Sequence, residues 1–498
     1  MKQKALEKGA DVSIDHQEAW HHIDKMAFHA VGQLFVQGTQ FNWKEPYCQG
    51  EIFENVGSCF IIDTVGHLIT SWHVVGQGKS LWVQFPSTGR FPLAVSIKSV
   101  CPDKDIALLQ LHQSSIEMIV NVLGQLPALT FGNSDTVLRA DSVMILGYPL
   151  MQYRIKSTTG IVSGKEMVAG QSLIQITAPV NPGTSGAPVF NRFGQVIGIT
   201  ACLIPEAQNI GFCVPSQDFF TIKDDLMREA FVKRPLFGVQ FVSANDSKAE
   251  LLGNPKPAGL YVSDVFDGGL CAKMGVQPGD MIYAVDDCEI DAYGDARVSW
   301  SEERVSFYEL IGRLKIGQKI SVTLCRRGEK IVKQDTVVVT DPFIITKSYP
   351  GYDIISYAVV SGLVIMQLTE NHLDLFIEER PEFGIFWQLQ NRLKPALIIT
   401  AITPQSYSYE LRIFSSGDLL DTVNGKKVQT IDDLKQALGI KNDFLTIATN
   451  LKVEQVIPIA SVEVTFDSYT LQVQSSMINQ KREESIQILE KDRKKRAT

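Results

Sequence analysis

Short apolar runs alternate with turn residues over residues 33–215 of this chain. Examples lie at 81–85, 143–146 and 196–199, and glycine, proline and asparagine separate them. No long helical period interrupts this pattern. Runs of this length with regularly spaced turn signals are typical of an all-β barrel. The pattern therefore predicts a β-barrel architecture for this part of the chain.

The flanking regions have other patterns. Residues 15–32 place Trp20, Ile23, Ala27 and Val31 on one helical stripe, which predicts an amphipathic helix. Mixed strand and helix signals return after residue 233. The predicted organisation is a helical segment at 1–32, a barrel domain at 33–232, further domains at 233–342 and 343–475, and a charged helix or tail at 476–498.

A serine in a glycine-rich turn is the strongest chemical signal in the sequence. Residues 178–188 read APVNPGTSGAP, so Gly183 and Gly186 flank Ser185. Glycine adopts positive φ at little cost, and such a turn can aim the amides of Gly183 and Ser185 at one point, as an oxyanion hole requires. A lone serine in such a turn is also common without any chemistry. Its hydroxyl is a weak nucleophile unless a base takes its proton.

A histidine and a carboxylate lie upstream in suitable contexts. His73 ends the sequence HLITSWH at 67–73, and Asp105 precedes the apolar residues IALL in the sequence DKDIALL at 103–109. Each residue alone is unremarkable for a protein of this size. The chain order His, Asp, Ser is that of the chymotrypsin-like double barrel and differs from the order in subtilisin or the α/β-hydrolases. The ordered set predicts a catalytic triad.

The three motifs resemble those of the HtrA/Deg serine proteases. The family motifs read T-N-A-H-V, D-x-D-I-A-L and G-N-S-G-G, against TSWHV, DKDIAL and GTSGA here. The resemblance implies a mainly β protein, with a chymotrypsin-like double β-barrel followed by two PDZ-like α+β domains. It implies that Ser185 is the nucleophile, His73 the general base and acid, and Asp105 the residue that orients His73. Gly183 and Ser185 would supply the oxyanion hole.

Three positions depart from the family pattern. Trp72 replaces a small residue, so its indole must find space beside the histidine. Thr184 replaces asparagine, and its β-branch restricts its rotamers. Ala187 replaces a glycine, which requires a negative φ at that position. These departures put catalytic efficiency in question, but none removes a catalytic atom.

Residues 236–282 resemble a PDZ domain. The sequence LFGVQF at 236–241 contains the Φ-Gly-Φ turn, which makes Phe237, Gly238 and Val239 the candidate peptide-binding loop. In this binding mode an extended peptide pairs with a strand edge, and amides of the turn bind its C-terminal carboxylate. The alternative is that the Pro-Gly-Asp sequence at 278–280 is an ordinary turn and that the groove is filled.

A second copy of this pattern occurs nearer the C-terminus. The sequence GDLLDTVNG at 417–425 repeats the GDMI of 279–282, but no clear Φ-Gly-Φ turn precedes it. This copy is therefore predicted to be degenerate and structural. The layout resembles the two-PDZ Deg proteases of plants and some bacteria.

Composition narrows the function classes. The net charge of −8 gives no global basicity, so we expect no nucleic-acid partner. The longest apolar stretch, at 354–366, is interrupted by serines and is too short for a membrane span. The N-terminal residues lack the apolar core of a signal peptide. A cytoplasmic protein is predicted, with secretion or organellar import by an unreadable route as the alternative.

Cysteine and histidine positions predict neither a metal nor a cofactor. The eight cysteines include no C-x-x-C pair. Cys202 and Cys213 flank a predicted hairpin and could approach each other, although reduced thiols are favoured in a cytoplasmic protein. His21, His22 and His29 lie on the N-terminal helix without carboxylate or cysteine partners at ligand spacing.

The sequence and the resemblance thus predict a serine endopeptidase that degrades unfolded or damaged proteins under PDZ control. It is expected to be ATP-independent, because no P-loop motif is present. The alternative is an inactive protease-like chaperone or scaffold that binds polypeptides through its PDZ domain. Expected partners are unfolded polypeptides and C-terminal peptides. A homotrimer, or a multiple of trimers, is expected from the family and from the apolar stripe of the N-terminal helix, with Phe28 and Phe35 nearby.

Overall fold

The structure is a computed structural model that describes residues 16–168, 170–201, 210–255, 258–439, 444–450, 454–458 and 464–469. These residues divide into two compact units. The first unit comprises the described parts of Met1–Gln37 and Glu54–Thr340, and the second those of Gly38–Phe53 and Asp341–Thr498. The charged tail predicted at 476–498 lies outside the described residues.

Six strands close into a first barrel, in the order β1-β2-β3-β6-β5-β4. Helix α1 precedes the barrel, α2 follows β3, and α3 follows β6. The elements are α1 His16–Ala27, β1 Val31–Thr39, β2 Ile52–Ile61, β3 His67–Ser71, α2 Trp72–Val75, β4 Gly78–Gln84, β5 Leu93–Cys101, β6 Ile106–Leu111 and α3 Gln113–Leu123.

Six further strands close into a second barrel, in the order β10-β11-β12-β9-β8-β7. A helix, α4, leaves this barrel towards the next domain. The elements are β7 Ser142–Gly147, β8 Lys156–Val168, β9 Gln171–Ile176, β10 Pro188–Phe190, β11 Val196–Ala201, β12 Gly211–Pro215 and α4 Ser216–Arg228. The predicted chymotrypsin-like double barrel is confirmed.

One apolar core joins both barrels and α1. Ile23 and Ala27 of α1 belong to the same buried cluster as Phe60 of the first barrel and Phe190 of the second. Burying a side chain such as isoleucine or phenylalanine stabilises a fold by about 1.5–3 kcal/mol relative to leaving it exposed. The helical stripe that the sequence predicted for subunit contact is therefore largely used within the chain.

The last part of the first unit, residues 237–340, is called the central domain. Its main sheet has the order β13-β14-β15-β19-β20, with β16 paired to β15, so β13 is an edge strand. The elements are β13 Val239–Ser243, α5 Asp246–Leu251, β14 Leu260–Val265, α6 Leu270–Lys273, β15 Met281–Val285, β16 Cys288–Glu289, β17 Asp295–Ala296, β18 Val305–Ser306, α7 Phe307–Ile311, β19 Lys319–Arg326 and β20 Glu329–Thr336.

The second unit is called the C-terminal unit and contains two four-stranded sheets. Their orders are β23-β22-β21-β28 and β25-β24-β26-β27. The elements are β21 Ile355–Val360, β22 Leu363–Gln367, α8 Glu370–Phe376, β23 Leu397–Ile402, α9 Tyr407–Leu411, β24 Leu420–Val423, β25 Lys426–Lys427, α10 Ile431–Leu438, β26 Phe444–Thr449, β27 Glu454–Pro458 and β28 Val464–Tyr469.

The Gly-Asp repeat seen in the sequence adopts the same turn in both places. Gly279 and Gly417 each have a φ of +94°. Asp280 and Asp418 each accept a hydrogen bond at 2.8 Å from the backbone N–H three residues earlier. Each aspartate also pairs with an arginine, at 2.7 Å and 2.9 Å. The central domain and the C-terminal unit thus share a structural element that local sequence encodes.

The two copies differ at the strand that would bind a peptide. The amide of Val262 in β14 donates to Asp280, and that of Ile399 in β23 donates to Asp418, so β14 and β23 are equivalent. Their neighbours β13 and β22 are then equivalent as well. Strand β13 has a free edge in the described sheet, whereas β22 is covered by β21, which pairs in turn with β28.

The connection between β1 and β2 requires a correction. The apolar pattern predicts Gly38–Phe53 as part of the barrel domain. This segment, which includes the end of β1 and the start of β2, instead belongs to the C-terminal unit. Thr400 donates a hydrogen bond to the Lys44 carbonyl at 2.7 Å, and the Trp43 ring packs edge-on against His372 at 5.2 Å. Complete burial lowers the pKa of His372 to about 3, so its ring is neutral. Apolar spacing alone could not reveal this exchange of a segment between units.

Candidate active site

Neighbouring strands bring His73 and Asp105 together. His73 lies in α2, directly after β3, and Asp105 immediately precedes β6. These strands pair with Ser71 opposite Ile106, which places the two side chains at the same end of the first barrel. Asp105 has a left-handed φ of +50°, a conformation that aspartate tolerates better than most residues.

The carboxylate of Asp105 binds His73 twice. Its Oδ2 lies 2.8 Å from Nδ1 of His73, and its Oδ1 accepts a hydrogen bond from the His73 backbone N–H at 2.9 Å. The pairing assigns the ring proton to Nδ1 and leaves Nε2 as an acceptor. The histidine side chain is 40% exposed, whereas that of the aspartate is 15% exposed. This is the arrangement that a general base requires.

Two glycines give the serine loop its shape. Gly183 and Gly186 have φ values of +97° and +84°. A Cβ atom at residue 183 would lie 2.3 Å from the carbonyl oxygen of Tyr148, and one at residue 186 would lie 2.3 Å from that of Ser58. Any other residue would therefore clash with backbone at both positions. The sequence-based expectation of a sharp glycine turn around Ser185 holds in the structure.

The serine loop meets the histidine helix across Gly57 of β2. A Cβ at Gly57 would lie 2.6 Å from Val74, the residue after His73, and 3.1 Å from the Ser185 carbonyl oxygen. Within the described part of the chain, the Ser185 hydroxyl forms no hydrogen bond, either to His73 or to another residue. Catalytic hydrogen bonds commonly tighten only when substrate is bound. The serine loop and the histidine thus lie at one place in the fold, without a hydrogen bond between the Ser185 hydroxyl and His73 in the described structure.

The amides of Gly183 and Ser185 are available for a ligand. The carbonyl of Pro182, which precedes Gly183, accepts a hydrogen bond from the Leu150 amide at 2.7 Å. The carbonyl that precedes the Ser185 amide accepts one from Ala187 at 2.9 Å. In a trans peptide the N–H points away from the carbonyl, so both N–H groups face the opposite side. Neither has an acceptor among the residues that the structure describes.

The three departures from the family pattern fit this site. The Trp72 ring extends over Gly76, where a Cβ would lie 3.3 Å from it. Thr184 donates to the Asn181 carbonyl at 2.6 Å, which braces the loop that bears the serine. Ala187 is fully buried and is absent from the residues with positive φ, as its side chain requires. None of the three side chains disrupts the pair formed by His73 and Asp105.

Two buried hydroxyl residues at this site were missed by the sequence analysis. Thr200 accepts a hydrogen bond from the Ala187 amide at 3.0 Å, and its carbonyl accepts one from Gly186 at 2.9 Å. Ser58 donates to the Gly183 carbonyl at 2.8 Å. The signal available in the sequence was a polar residue inside an apolar strand, such as Ser58 between Gly57 and the apolar residues 59–62.

Metal and thiol chemistry find little support in the described residues. No group of three or more histidine, cysteine, aspartate or glutamate side chains that could hold a metal ion occurs in the part of the chain that the structure describes. Cys202 lies outside the described residues. Cys213 is a free, buried thiol whose pKa burial raises to about 12, so it is unreactive at neutral pH.

Among the described helices, none is long and apolar enough to cross a bilayer.

The predicted peptide-binding loop has unpaired amides. The carbonyl of Phe237 accepts a hydrogen bond from Cys271, and that of Gly238 accepts one from Phe266, both at 3.0 Å. The amides of Phe237 and Gly238 have no acceptor in the described structure. The Phe237 ring is buried against Phe307 of α7, with ring centroids 5.3 Å apart. The loop thus presents donors, while its phenylalanine forms part of the core.

Gly238 itself cannot carry a side chain. Its φ is +79°, and a Cβ there would lie 2.8 Å from the Cα of Gly269. A substitution at this position would disturb the fold of the loop rather than only fill the groove. Val239, which is partly buried beside the loop, is the better position for a probe of binding.

Within the first unit, the central domain contacts the barrels through arginines. Arg234 donates its backbone N–H to Asp103 at 3.3 Å and a guanidinium hydrogen to the Gly312 carbonyl at 3.3 Å. Arg313 pairs with Asp135 at 2.8 Å. Both members of the second pair are largely buried, where losing one partner is costly. These bonds join the end of α7 to the barrels.

The same contacts reach the turn that carries Asp105. Burial raises the pKa of Asp103, which accepts from the Arg234 backbone. Lys104 is buried and pairs with Asp218 of α4 at 3.0 Å. Residues 103–105 therefore all have fixed partners, and two of these partners lie on the connection to the central domain.

Comparison with known proteins supports a protease. Residues 57–199 match the family model described as a trypsin-like peptidase domain. A probable periplasmic serine endoprotease DegP-like protein of Pseudomonas fulva is 30% identical over 56% of this chain and 54% of the relative. A protein of the same description from Chlamydia pneumoniae is 26% identical over 78% of this chain and 72% of the relative. The chain spans about half the length of the Pseudomonas relatives that it matches.

A solved structure supports the fold. The HtrA-type protease AlgW, solved with a tripeptide, matches with a TM-score of 0.51 and 24% identity, over 65% of this chain and 97% of AlgW. At this identity the match bears on the fold alone. The trypsin-like family model and the DegP-like relatives confirm the HtrA/Deg resemblance that the three motifs carry. The prediction of a cytoplasmic protein is wrong, because the relatives are named periplasmic endoproteases.

Proposed function

We propose that this chain, whose residues 57–199 form a trypsin-like peptidase domain similar to that of the HtrA/Deg endoproteases, is a serine endopeptidase that cleaves unfolded polypeptides outside the cytoplasm. The observation that carries the proposal is the double hydrogen bond between Asp105 and His73 next to the glycine-flanked Ser185. The names of the relatives, periplasmic serine endoproteases, support the location and the cleavage of polypeptides.

Catalysis follows from the proton positions. The Asp105 carboxylate keeps the ring proton of His73 on Nδ1, so Nε2 accepts the proton of the Ser185 hydroxyl as its oxygen attacks the scissile carbonyl. His73 then returns this proton to the leaving amine. Water attacks the acyl-enzyme by the same route, which releases the second product and restores the serine.

The developing oxyanion needs donors that are already in place. The amides of Gly183 and Ser185 are unpaired in the described structure. The carbonyls of the same peptide groups, those of Pro182 and Thr184, accept backbone hydrogen bonds on the opposite side. Such donors stabilise the tetrahedral intermediate without reorganising during the reaction, and one donor is worth about 10²–10³ in kcat. No P-loop motif is present in the sequence, so the site is proposed to act on chains that are already unfolded.

A second candidate function is an inactive, protease-like chaperone. It is favoured by one observation, the absence of a hydrogen bond from the Ser185 hydroxyl to His73 in the described structure. A fluorophosphonate probe distinguishes the two, because it reacts only with an activated serine. Labelling of the wild-type protein, lost in Ser185→Ala, would support the protease. An unlabelled wild type that still prevents aggregation of casein would support the chaperone.

We also propose that the central domain binds the C-terminus of a polypeptide as an added strand on β13. The free edge of β13 and the unpaired amides of Phe237 and Gly238 support this proposal. Phe241 lines the neighbouring face, with its ring 5.0 Å from that of Phe307 in α7. A bound peptide would contact both β13 and α7, and α7 leads to the contacts with Arg234 and Arg313.

Peptides with an apolar C-terminal residue should therefore raise casein turnover, and Val239→Asp should abolish the stimulation. The introduced carboxylate would lie beside the amides that receive the peptide carboxylate, and like charges repel. A peptide that binds the active arrangement about tenfold more tightly than the inactive one would supply a coupling free energy of about 1.4 kcal/mol. Turnover is measured with and without peptide, and peptide binding is measured by fluorescence anisotropy.

Ile331→Asp is the matched control, because Ile331 is also partly buried against the same core but lies on β20, at the other edge of the sheet. It should leave both binding and stimulation as in the wild type. Equal stimulation of Val239→Asp and the wild type would contradict the role of this loop. Basal casein cleavage should persist in both variants, since neither residue belongs to the triad.

We propose that the C-terminal unit does not bind peptides at the equivalent strand. Strand β21 of the same chain occupies the edge of β22, and β28 covers β21 in turn. The missing Φ-Gly-Φ turn supports the same view, because Ser361 and Gly362 form a tight connection from β21 to β22 instead. Peptide binding is thus assigned to the central domain.

Self-association as a trimer is proposed through a different surface from the helix stripe. Met26, Phe193 and Phe220 are exposed apolar residues, and Phe193 is 71% exposed. A Cβ at Gly194, the residue after Phe193, would lie 3.2 Å from Met26. Phe220 packs against Phe131, whose backbone pairs with Val196 at the start of β11. Met26 and Phe220 thus both lie near the turn that carries Phe193, and exposed apolar residues that lie near one another often mark a protein interface.

Light scattering should report a trimer, or a multiple of it, for the wild type at micromolar concentration. Phe193→Asp should shift the mass towards the monomer, because a carboxylate buried in an apolar interface is strongly unfavourable. Val122→Asp, at a position 58% exposed on α3, is the control and should keep the wild-type mass. A monomeric wild type would contradict the proposal.

A further inference from the structure

Ser58 of β2 makes four hydrogen bonds around the proposed oxyanion hole. Its hydroxyl donates to the Gly183 carbonyl at 2.8 Å and accepts from the Tyr148 amide at 3.1 Å. Its own amide donates to the Ser185 carbonyl at 2.8 Å, and its carbonyl accepts from Thr70 at 2.8 Å. The residue is fully buried, so no water competes for these bonds.

The hydroxyl acts on the most adjustable residue of the loop. Gly183 has no side chain to restrict it, so its two flanking peptides can rotate unless both are held. The peptide before Gly183 is held by Leu150, and the peptide after it is held by Ser58 at its carbonyl and by the Asn181 carbonyl at its N–H. Tyr148 is tied to the same hydroxyl and lies two residues before Leu150. One side chain therefore supports both constraints on the Gly183 amide.

From this geometry we infer that Ser58 is a positioning residue, which keeps the Gly183 N–H directed at the substrate oxyanion. The inference rests on the proposed function, because it assigns a role within that same site. Without the hydroxyl, the Gly183 carbonyl and the Tyr148 amide each lose a buried partner. The Leu150 amide still holds the Pro182 carbonyl, but Tyr148, two residues before Leu150, has lost its anchor. The Gly183 N–H is then directed less tightly at the oxyanion, while the triad keeps its own bonds.

The test is Ser58→Ala, assayed with a fluorogenic peptide substrate and a peptide aldehyde whose adduct mimics the tetrahedral intermediate. The variant should lower kcat by about tenfold to a hundredfold with KM unchanged within about twofold, because oxyanion contacts act chiefly in the transition state. Affinity for the aldehyde should fall by the same factor as kcat. A residue with a purely structural role would lower thermal stability without this pattern.

Ser115→Ala is the matched control. Ser115 is also buried and donates one hydrogen bond to a backbone carbonyl, that of Ala94 at 3.0 Å, but it lies on α3. It should lose comparable thermal stability and keep kcat and aldehyde affinity. Ser58→Cys, which keeps the side-chain shape with a weaker donor, should be intermediate. It preserves the test if the alanine variant does not fold.

The outcomes separate the two proposals. A wild-type protein that cleaves no peptide and binds no aldehyde would overturn the proposed function and the role of Ser58 with it. An active wild type whose Ser58→Ala and Ser58→Cys variants keep kcat and aldehyde affinity would overturn the role of Ser58 alone. Equal kcat losses in Ser58→Ala and Ser115→Ala would also overturn it.

Discussion

Ser185→Ala should abolish cleavage of unfolded casein, lowering kcat by about 10⁵- to 10⁶-fold, the loss commonly seen when a serine nucleophile is removed. Folding should be unaffected, because the Ser185 hydroxyl makes no hydrogen bond within the described structure and its loss leaves no partner unsatisfied. Casein cleavage is followed by gel electrophoresis and thermal unfolding by circular dichroism.

Ser114→Ala provides the control, because Ser114 is an exposed serine on α3, away from the serine loop. It should cleave casein at the wild-type rate. Cleavage by Ser185→Ala at that rate would show that another residue is the nucleophile, and the assignment of this loop would fail. Loss of cleavage together with lost thermal stability would point to misfolding instead.

Asp105→Asn should lower kcat by about 10⁴-fold, the effect known for this change in other serine proteases. The carboxylate uses Oδ2 for the His73 ring and Oδ1 for the His73 backbone N–H. Asparagine has one acceptor oxygen, so one of these two donors loses its partner. If the amide nitrogen faces the ring, the ring proton moves to Nε2, and His73 can no longer accept the proton of Ser185.

The same barrel contains a second His–Asp pair that serves as a control. His67 and Asp63 are joined by a bond of 2.6 Å between Nδ1 and Oδ2, and the His67 side chain is 9% exposed. Asp63→Asn changes the same chemistry and should keep kcat within about twofold while lowering the melting temperature. If both variants lose kcat equally, the effect reflects the stability of the barrel rather than the tautomer of His73.

The active-site residues could be predicted from the sequence because their signals are local. Gly183 and Gly186 have positive φ values that few other residues tolerate, and this need is visible as glycine in the chain itself. His73 and Asp105 stand where apolar strands end or begin, so pairing of adjacent strands was enough to bring them together. Ser58 escaped prediction, since the two partners of its hydroxyl lie 90 and 125 residues away in the sequence.

The accessory regions show the reverse balance. The Gly-Asp turns at 279 and 417 repeat in both sequence and geometry, because a turn is determined by neighbouring residues. Whether a strand edge is free depends on which distant strand pairs with it. The missing Φ-Gly-Φ turn was a reason to doubt peptide binding by the second copy. Only the pairing of β21 with β22 shows which strand occupies the edge of β22.

By itself, the sequence determined the barrel strands, the serine turn and the order of the three proposed catalytic residues, because apolar runs and obligatory glycines act over a few neighbouring positions. The double barrel was implied by the resemblance to the HtrA/Deg proteases. Tertiary structure decided that Gly38–Phe53 joins the C-terminal unit, that the helix stripe is buried within the chain, and that Ser58 braces Gly183. These features depend on contacts between residues far apart in the chain. Apolar or polar character shows that a residue seeks a partner, and only the fold selects which one.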